Sequence, residues 1–168
     1  MHFEKISFEQ WCKDITFDVD RTTLRRWYEN IKLPKQGTEH SMGVDFFMPY
    51  TIRVLAHNKV KIPTGIRWVF DKNDSMHYGL LLVPRSSVGI KNGMRLLNTI
   101  GVVDADYYMS DNEGHIILFM ENTTDKDVVL TNGKGIIQGL IVPYTIPQDA
   151  VSDTERHGGF GSTDNNKN

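Results

Sequence analysis

Two separated stretches of the chain carry side chains that can do chemistry. The run Pro84-Arg85-Ser86-Ser87 supplies one cation and two hydroxyls, which are groups that bind phosphate oxygens. Asp104 and Tyr107 follow an apolar run, so a carboxylate able to act as a base lies near a flat ring. The glycine-rich tail, residues 156–163, contains one aromatic residue, and glycine lets a backbone approach a ligand closely. These groups together indicate an enzyme that handles nucleotides.

The composition is that of an ordinary single-domain protein. The chain has 168 residues, of which 39% are hydrophobic, and a net charge of −2; this gives no basic surplus of the kind that binds duplex DNA. Cys12 is the only cysteine, which excludes an intrachain disulfide and fits a reducing compartment. No apolar run is long enough for a membrane span or a signal peptide. The six histidines lack ligand spacing. We therefore expect a cytoplasmic protein without zinc, membrane attachment or stable nucleic-acid binding.

Residues 1–31 are predicted to be helical. Ser7 and Gln10 form a capping-box pattern, and Asp20 precedes a second run whose larger apolar residues recur every three to four positions: Leu24, Trp27, Tyr28 and Ile31. Two roles stay open for this segment. Its aromatic stripe either packs on its own domain or a neighbouring subunit, or it binds a protein partner, for which Arg25 and Arg26 are candidates.

From about residue 41 to residue 144 the pattern changes to short apolar or alternating runs between turn signals. Many short strands of this kind predict an all-β sandwich, jelly roll or barrel. The clearest runs are Lys59–Ile66, Leu80–Val83, Ile100–Val103, Ile116–Met120, Val128–Leu130 and Ile136–Val142. After Pro147 polar residues and glycine dominate, which predicts a flexible arm. The predicted divisions are 1–32, 33–146 and 147–168.

Five ordered motifs give the chain a specific resemblance. They are Gly43-Val44-Asp45, Pro84-Arg85-Ser86-Ser87, Gly101 to Tyr107, Gly133 to Gln138, and Arg156 to Thr163. Their order and spacing over about residues 33–163 resemble the trimeric dUTPase family of bacterial or phage type. The resemblance implies a β jelly roll or β-clip, a homotrimer with active sites between subunits, and magnesium as cofactor. It also implies hydrolysis of dUTP to dUMP and pyrophosphate by water attack on the α-phosphate, which limits uracil in DNA and supplies dUMP for thymidylate synthesis.

The third motif would carry the reaction and the selection of base and sugar. The resemblance implies that Asp104 is the general base and that the Tyr107 ring packs under the deoxyribose, leaving no room for a 2′-hydroxyl. Asp106 is expected to point to the opposite side of the strand and to be structural. The uracil-reading hairpin is implied at a group of nearby positions, namely Asn98, Val102, Val103 and Ile117.

The remaining motifs would bind the triphosphate. The resemblance places Arg85, Ser86, Ser87 and Gln138 on phosphates or water. It places Phe160 on the uracil face, Gly161, Ser162 and Thr163 over the phosphates, and Arg156 at the γ-phosphate. Magnesium would be held by phosphates and waters rather than directly by protein ligands, with Asp45 as an outer support for metal-bound waters or for the active-site backbone.

The chain departs from the family pattern in three places. Lys134 and Gly135 stand where relatives carry an acid and an arginine, the fifth motif is one residue shorter, and residues 108–113 lengthen the turn after Tyr107. The insertion is a second candidate surface for a protein partner. Two alternative functions stay open at this point: a phage-type dUTPase that also binds a regulatory protein, and a dCTP deaminase, which shares the fold.

Overall fold

The fold is built almost entirely of short antiparallel strands, as predicted, with few helices. The computed structural model describes residues 1–71, 74 and 77–152. The twelve strands are β1 His2–Lys5, β2 Lys35–Gln36, β3 Val44–Phe47, β4 Ile52–Val54, β5 Lys59–Pro63, β6 Ile66–Val69, β7 Tyr78–Pro84, β8 Met94–Leu96, β9 Gly101–Val103, β10 Ile117–Asn122, β11 Val128–Leu130 and β12 Gly135–Pro143. The α-helices are α1 Phe8–Asp14, α2 Arg21–Glu29 and α3 Ser86–Gly89, and single 3₁₀ turns lie at Tyr107–Met109 and Gln148–Ala150.

The strands form four antiparallel groups with the neighbour orders β1-β6, β5-β10-β8, β11-β4 and β2-β3-β12-β7-β9. The five-stranded group joins four of the sequence motifs, because β3, β7, β9 and β12 each carry one or lead into one. The strand predictions are confirmed with one exception. The run Lys59–Ile66 is two strands, because the chain turns at Gly65, whose φ is +74°, a conformation that glycine adopts without steric cost.

The N-terminal segment is less helical than predicted. Residues His2–Lys5 form β1, which pairs with β6 from His2 opposite Val69 to Lys5 opposite Ile66. The predicted helix starts are confirmed: the Ser7 hydroxyl accepts from the Gln10 N–H at 3.1 Å, and the Asp20 carboxylate accepts from the Thr23 N–H at 3.0 Å. The helical prediction was wrong for β1, because the helix signals begin only at Ser7 and strand pairing determines the structure before it.

The aromatic stripe packs on its own domain, which confirms one of the two readings. Trp11 is fully buried, and Trp27 stacks on Tyr50 with ring centroids 4.8 Å apart. Phe8 packs edge-on against Tyr28, and the exposed Arg25 guanidinium lies 3.5 Å above the Phe8 ring. These side chains belong to the same hydrophobic core as the strands. Nowhere in residues 1–71, 74 and 77–152 does the chain form a helix long and apolar enough to cross a membrane.

Candidate active site

Asp104 and Tyr107 lie on one tight turn directly after β9. The strand ends at Val103, and the Tyr107 N–H donates to the Asp104 carbonyl oxygen at 3.1 Å. The Asp104 side chain lies in an exposed position, whereas Tyr107 is only 7% exposed. Asp106 immediately precedes the 3₁₀ turn and is half-buried. The strand alternation used to orient Asp106 does not apply, since residues 104–107 form a turn rather than a continuation of β9.

The Tyr107 ring is fixed at its hydroxyl end. The hydroxyl donates to the His115 carbonyl oxygen at 3.3 Å, and the Asn112 side-chain amide donates to the Tyr107 hydroxyl oxygen at 3.0 Å. A buried phenol that both donates and accepts is satisfied, so the ring has a defined position. The insertion after Tyr107 therefore folds back to hold the ring of that same residue.

The residues predicted to begin the uracil-reading hairpin lie in the connection between β8 and β9. The Leu97 N–H donates to the Phe119 carbonyl oxygen at 2.9 Å, which extends the β8–β10 pairing and places Asn98 beside the start of β10. Ile117, the first residue of β10, is buried. The chain reverses through Thr99, whose φ is +65°. The structure thus brings Asn98 and Ile117 to neighbouring positions.

Two further members of the predicted set, Val102 and Val103, lie on β9 and face opposite ways. Val103 is buried in the core, and Val102 is 62% exposed. Val102 pairs with Leu81 of β7, which pairs in turn with Leu140 of β12. Residues directly opposite each other share a sheet face, so these three form an apolar row across the sheet. Val102 is thus the exposed end of this apolar row.

The phosphate-binding candidates lie at the end of β7. Arg85 precedes the single turn of α3, and the exposed Ser86 and Ser87 begin that turn. The Arg85 Nε lies 3.3 Å from the Oδ1 of Asp45, which is 8% exposed. The buried carboxylate thus holds the guanidinium from one side while leaving it partly exposed. Asp45 is an ion-pair partner of the predicted phosphate-binding arginine.

Gly135 makes room for that ion pair. A Cβ at position 135 would lie 2.1 Å from Arg85 Nη1 and 3.0 Å from Arg85 Cδ, so the arginine runs directly across the glycine. This explains one departure from the family motif, because the space that a side chain at position 135 would fill is occupied by Arg85. Gln138 belongs to the same region: it is directly opposite Asp45 in the β12–β3 register, and its Cγ lies 2.5 Å from where a Cβ on Gly43 would be.

The two groups of predicted site residues lie at opposite ends of β7. Val103 pairs with Leu80, so continuing the same register places Asp104 opposite Gly79. Arg85 directly follows β7 and lies six residues after Gly79 along the chain. At about 3.3 Å per residue the separation is roughly 20 Å. A water attacking a phosphate that Arg85 binds must lie within hydrogen-bond distance of its base, about 3 Å. The backbone positions of the predicted base and of the predicted phosphate-binding arginine are thus well separated along β7 within one chain.

The surroundings of Ser87 include a cavity of about 260 Å³, lined also by Met48, Thr131, Lys134 and Gly135. It contains neither Asp104 nor Tyr107, which agrees with the separation of the two halves. Within residues 1–71, 74 and 77–152, no group of three or more His, Cys, Asp or Glu is arranged to hold a metal ion. The predicted tail residues Arg156, Phe160, Gly161, Ser162 and Thr163 lie outside the described residues.

The sequence patterns did not indicate the contacts that join the insertion to α1. The Ser7 N–H donates to Glu113 Oε2 at 2.7 Å, and the Ser7 hydroxyl donates to Glu113 Oε1 at 2.5 Å. The fully buried His115 joins Nδ1 to Asp14 Oδ2 at 2.5 Å. The sequence does contain a signal for these contacts. Glu113 and His115 flank Gly114 at the end of the insertion. Helix α1 offers a capping serine, Ser7, and a carboxylate, Asp14, one helix length apart.

Comparison with known proteins identifies the class to which this fold and site belong. The profile of the dUTPase family matches residues 29–164. The deoxyuridine 5′-triphosphate nucleotidohydrolase of Lactococcus lactis is 37% identical over 141 residues, covering 81% of this chain and 91% of the relative. The crystal structure of the Streptococcus mutans dUTPase superposes with a TM-score of 0.67 at 34% identity, covering 88% of this chain and 99% of that one.

A dUTPase from the Staphylococcus aureus phage phi11 shares the fold at 19% identity, with a TM-score of 0.60 and coverage of 76% of this chain and 92% of that one; its structure shows a coordinated structural Mg(II) ion. The length of the matched region and the identity to the bacterial relatives settle the family. This chain is a member of the dUTPase family, and the match begins within α2, at residue 29.

Proposed function

We propose that this protein hydrolyses dUTP to dUMP and pyrophosphate, as a homotrimer in the cytoplasm. The observation that carries the proposal is the turn after β9, where Asp104 and Tyr107 are joined by a backbone hydrogen bond of 3.1 Å beside the Asn98 hairpin. This turn places a carboxylate and a fixed aromatic ring at the end of the strand that follows the Asn98 loop. The family membership gives that arrangement its substrate.

In the proposed mechanism Asp104 accepts a proton from the water that attacks the α-phosphorus. The Asn98 hairpin matches the donor and acceptor pattern of uracil, and cytosine leaves those groups unpaired, at a cost of about 1–3 kcal/mol for each buried group. Tyr107 lies under the deoxyribose, where its fixed ring leaves no volume for a 2′-hydroxyl. Arg85, Ser86 and Ser87 bind the phosphates of the same substrate from a second subunit.

Two features of the fold support an assembly of several copies, and the family resemblance makes a trimer the proposed form. The separation of roughly 20 Å between Asp104 and Arg85 along the sheet favours sites that two copies complete. The row Leu140, Leu81 and Val102 provides an apolar surface for burial between copies. A closed ring of identical contacts satisfies both requirements, because each copy then gives its base to one neighbour and its phosphate-binding group to the other.

Magnesium fits this site only as a partner of the substrate. Asp45 is already engaged by the Arg85 guanidinium at 3.3 Å, so its carboxylate is not available as a direct ligand in this conformation. Magnesium retains several waters and takes ligands from nucleotide phosphates. When bound, it would neutralise phosphate charge and so favour attack, and the residues that hold it indirectly are Arg85, Ser86 and Asp45 through the phosphates and waters. The arm residues Arg156, Phe160, Gly161, Ser162 and Thr163 are proposed to cover the bound nucleotide.

The test is pyrophosphate release from dUTP with magnesium, measured beside dTTP, dCTP and UTP. We expect turnover of dUTP alone, and loss of turnover in Asp104→Asn with nucleotide binding retained. The matched control is Asp106→Asn, which removes the same charge two residues away and should keep activity. Equal turnover of the four nucleotides would refute the specificity, and ammonia release from dCTP would support a deaminase instead.

A further inference from the structure

Helix α1 lies outside the region matched to the family. It is fastened at its start to Glu113, the last residue of the insertion that follows Tyr107, and at its end to His115, two residues further on. At its start, the backbone N–H and the hydroxyl of Ser7 both donate to the Glu113 carboxylate. At its end, Asp14 accepts from His115. The helix has seven residues, about 10 Å of length. A contact at each of its ends therefore holds residues 113–115 against it.

The Glu113 contact is strong for a partly exposed pair. Desolvation works to raise the pKa of Glu113, but the two hydrogen bonds from Ser7, together with the charges of Arg67 and His115, hold that pKa below its ordinary value. The same serine hydroxyl also caps α1 by accepting from the Gln10 N–H at 3.1 Å. Glu113 takes the place that a glutamine or glutamate within the helix fills in a capping box, so a residue of the insertion completes the cap of α1.

The His115 contact fixes the tautomer of a fully buried ring. The Gly65 N–H donates to Nε2 at 2.8 Å, so Nε2 carries no proton and Nδ1–H is the donor to Asp14. Asp14 is itself held by the Gln10 side-chain amide at 2.9 Å. The imidazole is thus bound on one side to the loop between β5 and β6 and on the other side to α1, and its backbone cannot shift without breaking one of these bonds.

Those fixed residues are the ones that hold the Tyr107 hydroxyl. The hydroxyl donates to the His115 carbonyl, and Asn112 donates to the hydroxyl oxygen at 3.0 Å and to the His115 carbonyl at 3.4 Å. The chain of contacts therefore runs from α1 through Glu113 and His115 to the phenol.

We propose that α1 and the insertion act as a clamp that sets the position of Tyr107, and that Glu113 and His115 are positioning residues for the rejection of ribonucleotides. The proposal rests on the proposed dUTP hydrolysis and on the role of Tyr107 within it. The Tyr107 ring excludes a 2′-hydroxyl only if the ring cannot move aside by a fraction of an ångström. The clamp supplies that rigidity from outside the family motifs.

The experiment measures kcat/KM for dUTP and for UTP in Glu113→Ala and His115→Ala. We expect the dUTP to UTP ratio to fall about tenfold, chiefly because UTP turnover rises, while kcat for dUTP changes by no more than about threefold. Glu113→Gln retains an acceptor for the Ser7 N–H, and His115→Gln retains one donor and one acceptor, so both conservative variants should restore the ratio.

The matched control is Glu4→Ala. Glu4 also ties the N-terminal segment to the core, through an ion pair with Arg67 at 2.7 Å to Nε, but it has no recorded bond to the insertion. It should lower the melting temperature without changing the ratio. A ratio unchanged in Glu113→Ala would overturn the clamp while leaving dUTP hydrolysis standing; no dUTP turnover by the wild-type protein would overturn the function instead. If turnover is lost altogether in the alanine variants, the relative affinities for dUMP and UMP give the same ratio.

Discussion

The buried His115 makes the stability of the fold sensitive to mild acid. Desolvation lowers the pKa of His115 below its ordinary value of 6.5, against the opposing hydrogen bond and charge of Asp14. Lys61 also lowers that pKa and Glu113 raises it, so these three charged groups and burial together set the direction. The folded protein keeps the ring neutral over a pH range in which the unfolded chain takes up a proton.

The sign and size of the effect follow from that difference in proton uptake. Because the pKa of His115 is lowered in the folded protein, this residue leaves the free energy of unfolding unaffected above pH 6.5. That free energy decreases as the pH falls below 6.5, where the unfolded chain takes up the proton. Lowering the pH from about 7.5 to about 5.5 should cost up to roughly 1.4 kcal/mol of the unfolding free energy from this one group. With a urea m-value of about 2 kcal/mol/M, the unfolding midpoint falls by roughly 0.7 M.

The assay is urea unfolding of the wild type and of His115→Gln at both pH values. One protein concentration is used throughout, because the proposed trimer would make stability depend on concentration. The glutamine amide keeps a donor and an acceptor but does not titrate. The other histidines are present in both proteins, so their contribution cancels in the difference. We expect the wild type to lose up to roughly 1.4 kcal/mol more than the variant. Parallel losses in the two proteins would refute the reasoning.

Two further predictions concern the shared site. Mixed trimers of Asp104→Asn and Arg85→Ala should regain about one quarter of wild-type turnover, since about one site in four then receives an intact base from one chain and an intact arginine from another; no recovery after verified mixing would place both groups in one chain. Gly135→Ala should raise KM for dUTP up to about fivefold, because its Cβ would lie 2.1 Å from Arg85 Nη1 and displace the guanidinium from Asp45. An unchanged KM would contradict that account; the control is Gly79→Ala, whose added Cβ would lie 3.8 Å from Tyr144 Cδ1, an ordinary contact distance.

Local rules were sufficient for the helix caps and for most strands. Ser7 and Asp20 cap helices as the pattern indicated, and β11 has the predicted bounds. The failures lie where distant pairing decides. β1 becomes a strand because β6 offers it an edge 60 residues or more away, and nothing within the first six residues reveals that partner. The turn at Gly65 was missed although Pro63 and Gly65 are turn-forming residues, because apolar or β-branched residues alternate through it as in one continuous strand, at positions 60, 62, 64 and 66.

The candidate site likewise combines features that the local sequence indicated with features that depend on contacts between distant residues. Motif order indicated which residue types belong to the site, and the structure brings Asn98 near Ile117 and Arg85 near Asp45. The sequence could not show that Gly135 exists to admit Arg85, because the clash depends on how β12 and β7 pair. Nor could it show the Glu113 and His115 contacts, since these join residues about 100 positions apart. Side-chain contacts across such distances depend on the assembled core.

Deletion of residues 1–31 should therefore fail to give a stable protein. The segment contributes six buried apolar residues, namely Ile6, Phe8, Trp11, Ile15, Leu24 and Ile31. At about 1.5–3 kcal/mol each, their burial is worth roughly 9–18 kcal/mol, which is comparable to the whole stability of a typical domain. The deletion also leaves β6 without β1.

We expect the truncated chain to be insoluble or to lack a cooperative thermal transition by circular dichroism. A truncated trimer that melts like the wild type would show that the segment is an appendage and would remove the physical basis of the clamp. Because the deletion acts on folding first, loss of activity or of a bound partner in the truncated chain says nothing specific about either. Single substitutions at Glu113 and Glu4 separate the two effects, since both loosen the same segment and only one reaches Tyr107.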